Sequence, residues 1–500
     1  MRYHALACDY DGTLASDGRI APATSDAIRS LRASGRRPVM VTGRQVADLL
    51  AICPDIELFD MIVAENGAVV YVPATRHART LAEPPPPELV QRLRQRGVEP
   101  LDVGRVIVAT ERPHEVAALE VIQQLGLELQ VIFNKGSVML LPSGVNKATG
   151  LAAALDDLKL SPHNVVAIGD AENDHALLAS CEFAVAVANA VPTLKQRADL
   201  VTAEGNGAGV RELIQRLIAG DLADLAPALD RHDVPVGTDA DGHTVRVPAH
   251  GSAVLVAGAS GASRSAFVSG LLERLGKRLL QHCIVDVAGD YLDQHAAVLL
   301  GGAEHAPELD EIVEVLDKPG QNAVINLLGV APAERPRFFE SLFARLQEMR
   351  ARIGRPHWLV VDEIDQLVPA GWDLGALRRS QDLTSLLLMT RRAGSVPPPI
   401  VSAVDAIFAI GRAPAQTIRD LAGALGEPTP GAPDVELQSG EAIAWWRSRG
   451  QGPFWLRSVP GQEGAGAGAG AGTGAGAAAA AGAGAGSSEP RAAGAPAQVP

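Results

Sequence analysis

Two carboxylates one residue apart, in Asp9-Tyr10-Asp11-Gly12-Thr13-Leu14, follow the apolar run Ala5-Leu6-Ala7-Cys8. If the run is a strand, Gly12 turns the chain at its carboxyl end, where open α/β sheets place their ligand crevice. Carboxylates there can hold magnesium while one attacks phosphorus and the other moves a proton. Alone, such a pair is more often an Asx-rich turn. Three more elements recur at ends of apolar runs: Thr42-Gly43-Arg44 after Pro38-Val39-Met40-Val41, Lys147 at a helix start, and Gly169-Asp170-Ala171-Glu172-Asn173-Asp174 after Val165-Val166-Ala167-Ile168. A phosphate monoester is a poor electrophile wrapped in negative charge, so a carboxylate attacks it only when cations and donors neutralise its oxygens. The four elements contain that cast.

In this order they resemble the four motifs of the haloacid dehalogenase superfamily. Val187-Ala188-Asn189-Ala190, Lys195, Ala198-Asp199, Val201-Thr202, Gly209-Val210 and Glu65-Asn66-Gly67-Ala68 look like the Cof-type sugar phosphatases within it. The resemblance implies Asp9 as nucleophile forming an aspartyl-phosphate and Asp11 as the acid, then base. It also implies Thr42, Gly43 and Lys147 on the phosphoryl group, and a magnesium ion held by Asp9, Asp170 and the main-chain carbonyl of Asp11. Asn173 and Asp174 would orient Lys147 or water on the metal.

Positioning these groups requires β-α units around a mostly parallel sheet, the rhythm that residues 1–72 and 142–220 carry. Thr24-Ser25-Asp26 offers N-cap chemistry to a helix that Gly35 closes. Pro84 to Pro87 is a stiff spacer that introduces a different rhythm, and residues 73–141 read as an inserted α+β cap. That cap is expected to have helices near Glu88–Arg96 and His114–Leu125, and strands near Val106–Ala109, Leu129–Phe133 and Ser137–Leu141. Its Arg105, Glu111, Arg112, Asn134 and Lys135 either reach substrate or are solvated surface charge.

Residues 221–233 read as a linker and 234–460 as a second α/β domain, with strands expected at Ala253–Val256, Cys283–Val287, Ala323–Asn326, Trp358–Val361 and Leu386–Met389. Val254 to Ser265 has the strand, glycine-rich turn and helix start of a P-loop, with Gly258 and Gly261 in the turn. However, Ser263 stands where glycine belongs and Arg264 where lysine belongs. Leu359-Val360-Val361 leads to Asp362-Glu363, as a strand bearing the acids of a P-loop NTPase would. With Pro235-Val236-Gly237, Ile284 to Tyr291, Met389 to Arg392 and Gly440-Glu441-Ala442, this half resembles the FtsK-HerA ATPases. The resemblance implies an ATP site on Gly258, Gly261, Arg264, Ser265, Asp362 and Glu363. The altered loop makes fast hydrolysis doubtful and leaves a scaffold role equally open. Residues 461–500, nearly all Gly and Ala apart from a Pro/Ser/Glu/Arg tip, are expected to be disordered.

At 500 residues the chain exceeds a single core, and four scattered cysteines lack metal spacing, which favours a reducing compartment. No segment reads as a leader or membrane span, so a cytoplasmic protein is expected. The formal charge of −14 argues against wholesale nucleic-acid binding, though a local basic groove is compatible with it. Oligomeric state is left open. The expected function is a magnesium-dependent phosphomonoesterase acting on a small phosphorylated metabolite, a sugar or polyol phosphate. The alternative is a nucleotide-dependent DNA motor or nucleotide sensor with an accessory phosphatase.

Overall fold

The computed structural model describes residues 1–225, 231–259, 261–292, 296–368, 385–433 and 435–458. The expected tail and part of the expected linker, with Ser260, lie outside the described residues. Residues 1–220 form an eight-stranded sheet. Its order is Leu200–Val201, Phe183–Ala186, Val165–Gly169, Ala5–Asp9, Arg37–Val41, Met61–Ala64, Val69–Val72, His77–Thr80. The first six run parallel and the last two are antiparallel additions. Every residue of Ala5–Asp9 and Val165–Gly169 is buried, the unbroken apolar pattern of strands covered on both faces. This is an α/β Rossmann-like fold. Val165–Gly169, Ala5–Asp9 and Arg37–Val41 are neighbours, so Asp170, Asp9 and Thr42 emerge side by side at one edge.

The first helix, Pro22–Ala33, begins earlier than the cap-type residues implied. Pro22 opens it, because its fixed φ and missing N–H suit a first turn, and Thr24 and Ser25 are buried within that turn. Helix Lys147–Asp157 has a complete capping box: the Asn146 side chain accepts from Ala148 N and Thr149 N, and Thr149 Oγ1 accepts from Asn146 N. That box fixes Lys147 as the first helical residue. The helix start is pressed against the turn Glu65–Gly67. Gly67 has φ +107°, and a Cβ there would overlap the Asn146 carbonyl.

Between the two parts of this sheet lies a four-stranded antiparallel sheet ordered Leu129–Asn134, Ser137–Pro142, Val108–Glu111, Asp102–Val103. Helices Pro87–Gln95 and Glu115–Leu125 bury Leu89, Leu93, Ala118, Val121 and Ile122 in a core of their own. The hairpin Leu129–Asn134/Ser137–Pro142 turns through Lys135 (φ +46°) and Gly136 (φ +102°), the twist that tight hairpins favour.

The second half builds an eleven-stranded sheet. Seven parallel strands run Ala406–Ala409, Ala253–Ala257, Ser385–Thr390, Trp358–Val361, His282–Asp286, Asn322–Asn326, Ala297–Leu300. The five strands expected there fall among them, with Asp286 rather than Val287 as the last residue of one. Glu441–Trp446, Gln451–Ser458, Val234–Asp239 and Thr244–Val247 extend the sheet antiparallel. The halves meet across a hydrogen-bonded seam. Arg355 donates to Lys159 O (2.6 Å), and Asn164 donates to Gly354 O (3.4 Å). No helix among the described residues is long and apolar enough to cross a membrane.

Because Gly67 combines positive φ with a backbone contact, Gly67→Ala should destabilise the protein by about 2 kcal/mol or more, a loss that urea unfolding measures.

Candidate active site

Where the parallel strands end, three carboxylates and an amine share a buried space. Lys147 Nζ donates to Asp9 Oδ1 at 2.5 Å and to Asp174 Oδ1 at 2.6 Å. Lys147 is 1% exposed and Asp174 fully buried, so this charge set is screened by protein rather than water. Asp174 is fixed in turn: its Oδ2 accepts from the backbone N–H groups of Asp170 and Ala171, both at 3.0 Å. Asp170 Oδ1 accepts from Thr13 Oγ1 at 3.2 Å, and its Oδ2 pairs with Lys135 Nζ from the hairpin tip.

Burial pushes the Asp9 carboxyl well above its ordinary range, and Asp174 and Asp170 add to the rise against the opposing pull of Lys147. Burial also works against the charge of Lys147, but Asp174 and Asp9 outweigh it and raise the amine. The pocket therefore holds more negative charge than one lysine neutralises. Asp9, Asp170 and Asp174 present oxygens within 4.8 Å of one another. Gly12 (φ +83°) leaves room beside Asp170 that the Lys135 ammonium enters, since a Cβ there would strike both the carboxylate and that amine. An all-oxygen, electron-rich donor set fits magnesium.

Asp11 points to the opening instead. Arg44 grips it in bidentate fashion, Nε to Oδ2 at 2.7 Å and Nη2 to Oδ1 at 2.8 Å, and hydrogen bonding to Asp11 raises the guanidinium further. Thr42 is buried, its Oγ1 accepting from Arg44 N at 3.1 Å. A cavity of about 400 Å³ opens here, lined by Asp9, Asp11, Gly43, Arg44, Asn134 and Lys135 among others. Sheet ends and inserted hairpin thus face each other across it.

Sequence reasoning paired Asn173 with Asp174, but the single tight turn Glu172–Asp174 sends them in different directions. Asn173 donates to Asn66 Oδ1 at 2.9 Å while Asp174 takes Lys147. The grip of Arg44 on Asp11 was missed. An arginine three residues past Arg37–Val41, the neighbour of the Asp9 strand, was the available signal. Glu65 was noted only as part of a motif. Its buried carboxylate accepts from the N–H groups of Arg105, Val106 and Ile107 (2.7–3.0 Å), tying the inserted sheet to the main one.

In the second half, helix Gly261–Lys277 follows strand Ala253–Ala257, and Arg264 is buried beneath the turn. Its guanidinium donates to Gly258 O (3.1 Å) and Glu363 Oε1 (2.9 Å), with Asp362 at 3.8 Å. Glu363 also pairs with Arg391 Nε at 2.6 Å. Both Asp362 oxygens lack a hydrogen bond, and burial, with Glu363 beside it, pushes that carboxyl up to about 7. Gly258, Arg264, Asp362 and Glu363 are thus brought together, and Gly261 and Ser265 lie in the first turns of the helix.

The sequence profile of the haloacid dehalogenase-like hydrolases matches residues 6–101 and 132–214. A phosphoglycolate phosphatase of Haloarcula marismortui is 32% identical over 219 residues, covering 42% of this chain and 95% of the relative. One from Halorubrum lacusprofundi is 32% identical over 230 residues (44% and 96%). Phosphoglycolate phosphatase 2 of Saccharolobus solfataricus is 29% identical over 227 residues (43% and 93%). Through its N-terminal part the chain belongs to the haloacid dehalogenase-like hydrolases. It is a hydrolase acting on phosphoric monoesters.

Lys147→Met would leave two buried carboxylates without their shared counter-charge. A loss of roughly 3–5 kcal/mol in unfolding free energy is expected, read by urea titration, together with loss of phosphatase turnover.

Proposed function

We propose that the N-terminal half hydrolyses a small phosphorylated metabolite through an aspartyl-phosphate on Asp9, with magnesium as cofactor. The observation that supports it best is the buried set Asp9, Lys147, Asp170 and Asp174 beside an open cavity. Asp9 attacks phosphorus in line with the leaving oxygen. Asp11, aimed by Arg44, gives that oxygen its proton and then takes one from the water that cleaves the acyl-phosphate. Lys147 pulls against the burial-driven rise of the Asp9 carboxyl and faces the charge that develops on the phosphoryl oxygens. Thr42 and Gly43 supply donors at the strand end. Asp9, Asp170 and the Asp11 carbonyl would hold the magnesium, with Asp174 orienting Lys147. When bound, the ion neutralises the phosphoryl group. Residues 73–141 act as the cap that excludes water.

Within this class, a phosphorylated hydroxy-acid such as phosphoglycolate is favoured over a sugar or polyol phosphate. Curated relatives bear the name of that substrate, and the cavity is of modest size, lined by Arg44 and Lys135 together with Asp9, Asp11, Asp48 and Asp102. Lys135, which pairs with Asp170 here, would be free to meet a second anionic group of the substrate if Asp170 held magnesium. Asp9→Asn should abolish turnover on a panel of phosphoglycolate, sugar phosphates and polyol phosphates while the circular dichroism stays unchanged. Retained turnover in this variant would overturn the mechanism, and a preference for sugar phosphates would overturn the substrate class.

For the second half we propose a regulatory or scaffold role on a P-loop-like frame. Support comes from the strand order, in which the strand before Asp362 is separated from the strand before Gly258 by one other. Arg264 already serves Glu363 and faces Asp362, the acids that a nucleotide-bound metal would need. The full chain should therefore turn over no ATP above an Arg264→Ala control in a phosphate-release assay. Sustained ATPase activity would favour the motor reading instead.

A further inference from the structure

Far from the phosphatase pocket, on the seam between the halves, four of the chain's twelve histidines gather around one buried carboxylate. Glu182 is 1% exposed and stands just before strand Phe183–Ala186. His163 comes from the turn Pro162–Asn164 of the same half, while His232, His250 and His357 come from beyond the expected hydrolase core. His163 Nδ1 lies 2.6 Å from Glu182 Oε2, His250 Nε2 3.4 Å from Oε1, and His232 Nε2 3.7 Å from Oε2.

The tautomers decide what this cluster can hold. His163 Nε2 lies 2.5 Å from the carbonyl of Arg278. A carbonyl only accepts, so Nε2 carries a proton and leaves Nδ1 facing the Glu182 carboxylate. The positive centre between those two atoms is a proton when no metal is bound, and the place of the ion when one is. Neither His250 Nε2 nor His232 Nε2 has a hydrogen-bond partner. His357 is different: its Nδ1 accepts from Gln281 N at 2.9 Å, so its remaining nitrogen carries a proton and is no ligand.

We propose that His163 Nδ1, Glu182 and His250 Nε2 bind a zinc-class divalent cation, with His232 closing the fourth position. The three named ligands offer atoms within 4.8 Å of one another. A tetrahedral zinc with bonds of about 2.0–2.1 Å separates its donors by roughly 3.3 Å; the His250–Glu182 separation of 3.4 Å matches that spacing, and the 2.6 Å contact of His163 must lengthen to admit the ion. The outer contacts are those that metal ligands keep: Nε2–H of His163 on a backbone carbonyl, and Arg2 on Glu182 Oε1. His250 also lines a small surface cavity with Pro248, Ser252 and Arg449, which gives an ion a path in. Nitrogen-rich ligation separates this site from the all-oxygen phosphatase pocket and points to zinc rather than magnesium. Its ligands come from both halves, so the ion would pin them together.

The test is zinc titration of the full-length protein by calorimetry in excess magnesium, which fills the oxygen site. The wild type should bind one zinc equivalent, and His250→Ala and Glu182→Gln should each weaken that equivalent at least tenfold while retaining magnesium-dependent phosphatase activity as proof of folding. Cobalt should give the visible absorption of a tetrahedral nitrogen site in the wild type and not in His250→Ala. Chelation should lower the thermal midpoint of the wild type only. A wild type with no zinc equivalent under magnesium, or two active variants that bind zinc as the wild type does, would overturn the site.

Discussion

One buried amine organises the phosphatase half. The Lys147 ammonium sits between Asp9 and Asp174, and it is the arrangement around it that makes so much charge tolerable inside protein. Asp174 spends its other oxygen on two backbone N–H groups, which locks the turn that carries Asp170. The Asn146 capping box sets where the helix begins and hence where the amine starts. Gly67 allows that helix start to approach the sheet. Removing the amine or either carboxylate leaves a buried charge without its partner, which is far more unfavourable than losing an exposed ion pair.

Parallel strands supply the second constraint. Three neighbouring strands end together and deliver Asp170, Asp9 and Thr42 to one edge, while the inserted hairpin delivers Lys135 from the other side. The glycine after Lys135 lets the hairpin turn tightly, so the ammonium stands at the tip, where it reaches the Asp170 carboxylate. The Glu65 carboxylate, bonded to three consecutive N–H groups, ties the inserted sheet to the main one without a covalent link. Substrate access and charge balance therefore meet in the same few residues.

Much of this was legible in the chain itself. Asp9, Asp170 and Lys147 follow apolar runs or a cap whose local patterns are strong, and parallel-sheet topology forces their convergence. The five central strands of the second half were likewise readable from continuous apolar stretches. What escaped depends on side-chain direction. That Asn173 turns to Asn66 while Asp174 turns to Lys147, and that Arg44 closes on Asp11, follow from backbone angles at single residues. The start of helix Pro22–Ala33 was misplaced because proline at the first turn outweighed hydroxyl caps. The inward turn of Arg264 toward Glu363 depends on contacts between elements about a hundred positions apart, which no local pattern encodes.

The seam has a bearing on how the polypeptide behaves as a whole. Arg355 is fully buried, yet one of its nitrogens spans to the Lys159 carbonyl of the other half. Hydrogen bonds to charged groups contribute about 1.5–3 kcal/mol each, and separation would hand that guanidinium an empty neighbour. Parting the two halves would therefore carry the penalty of an unpaired buried cation as well as that of the lost contact.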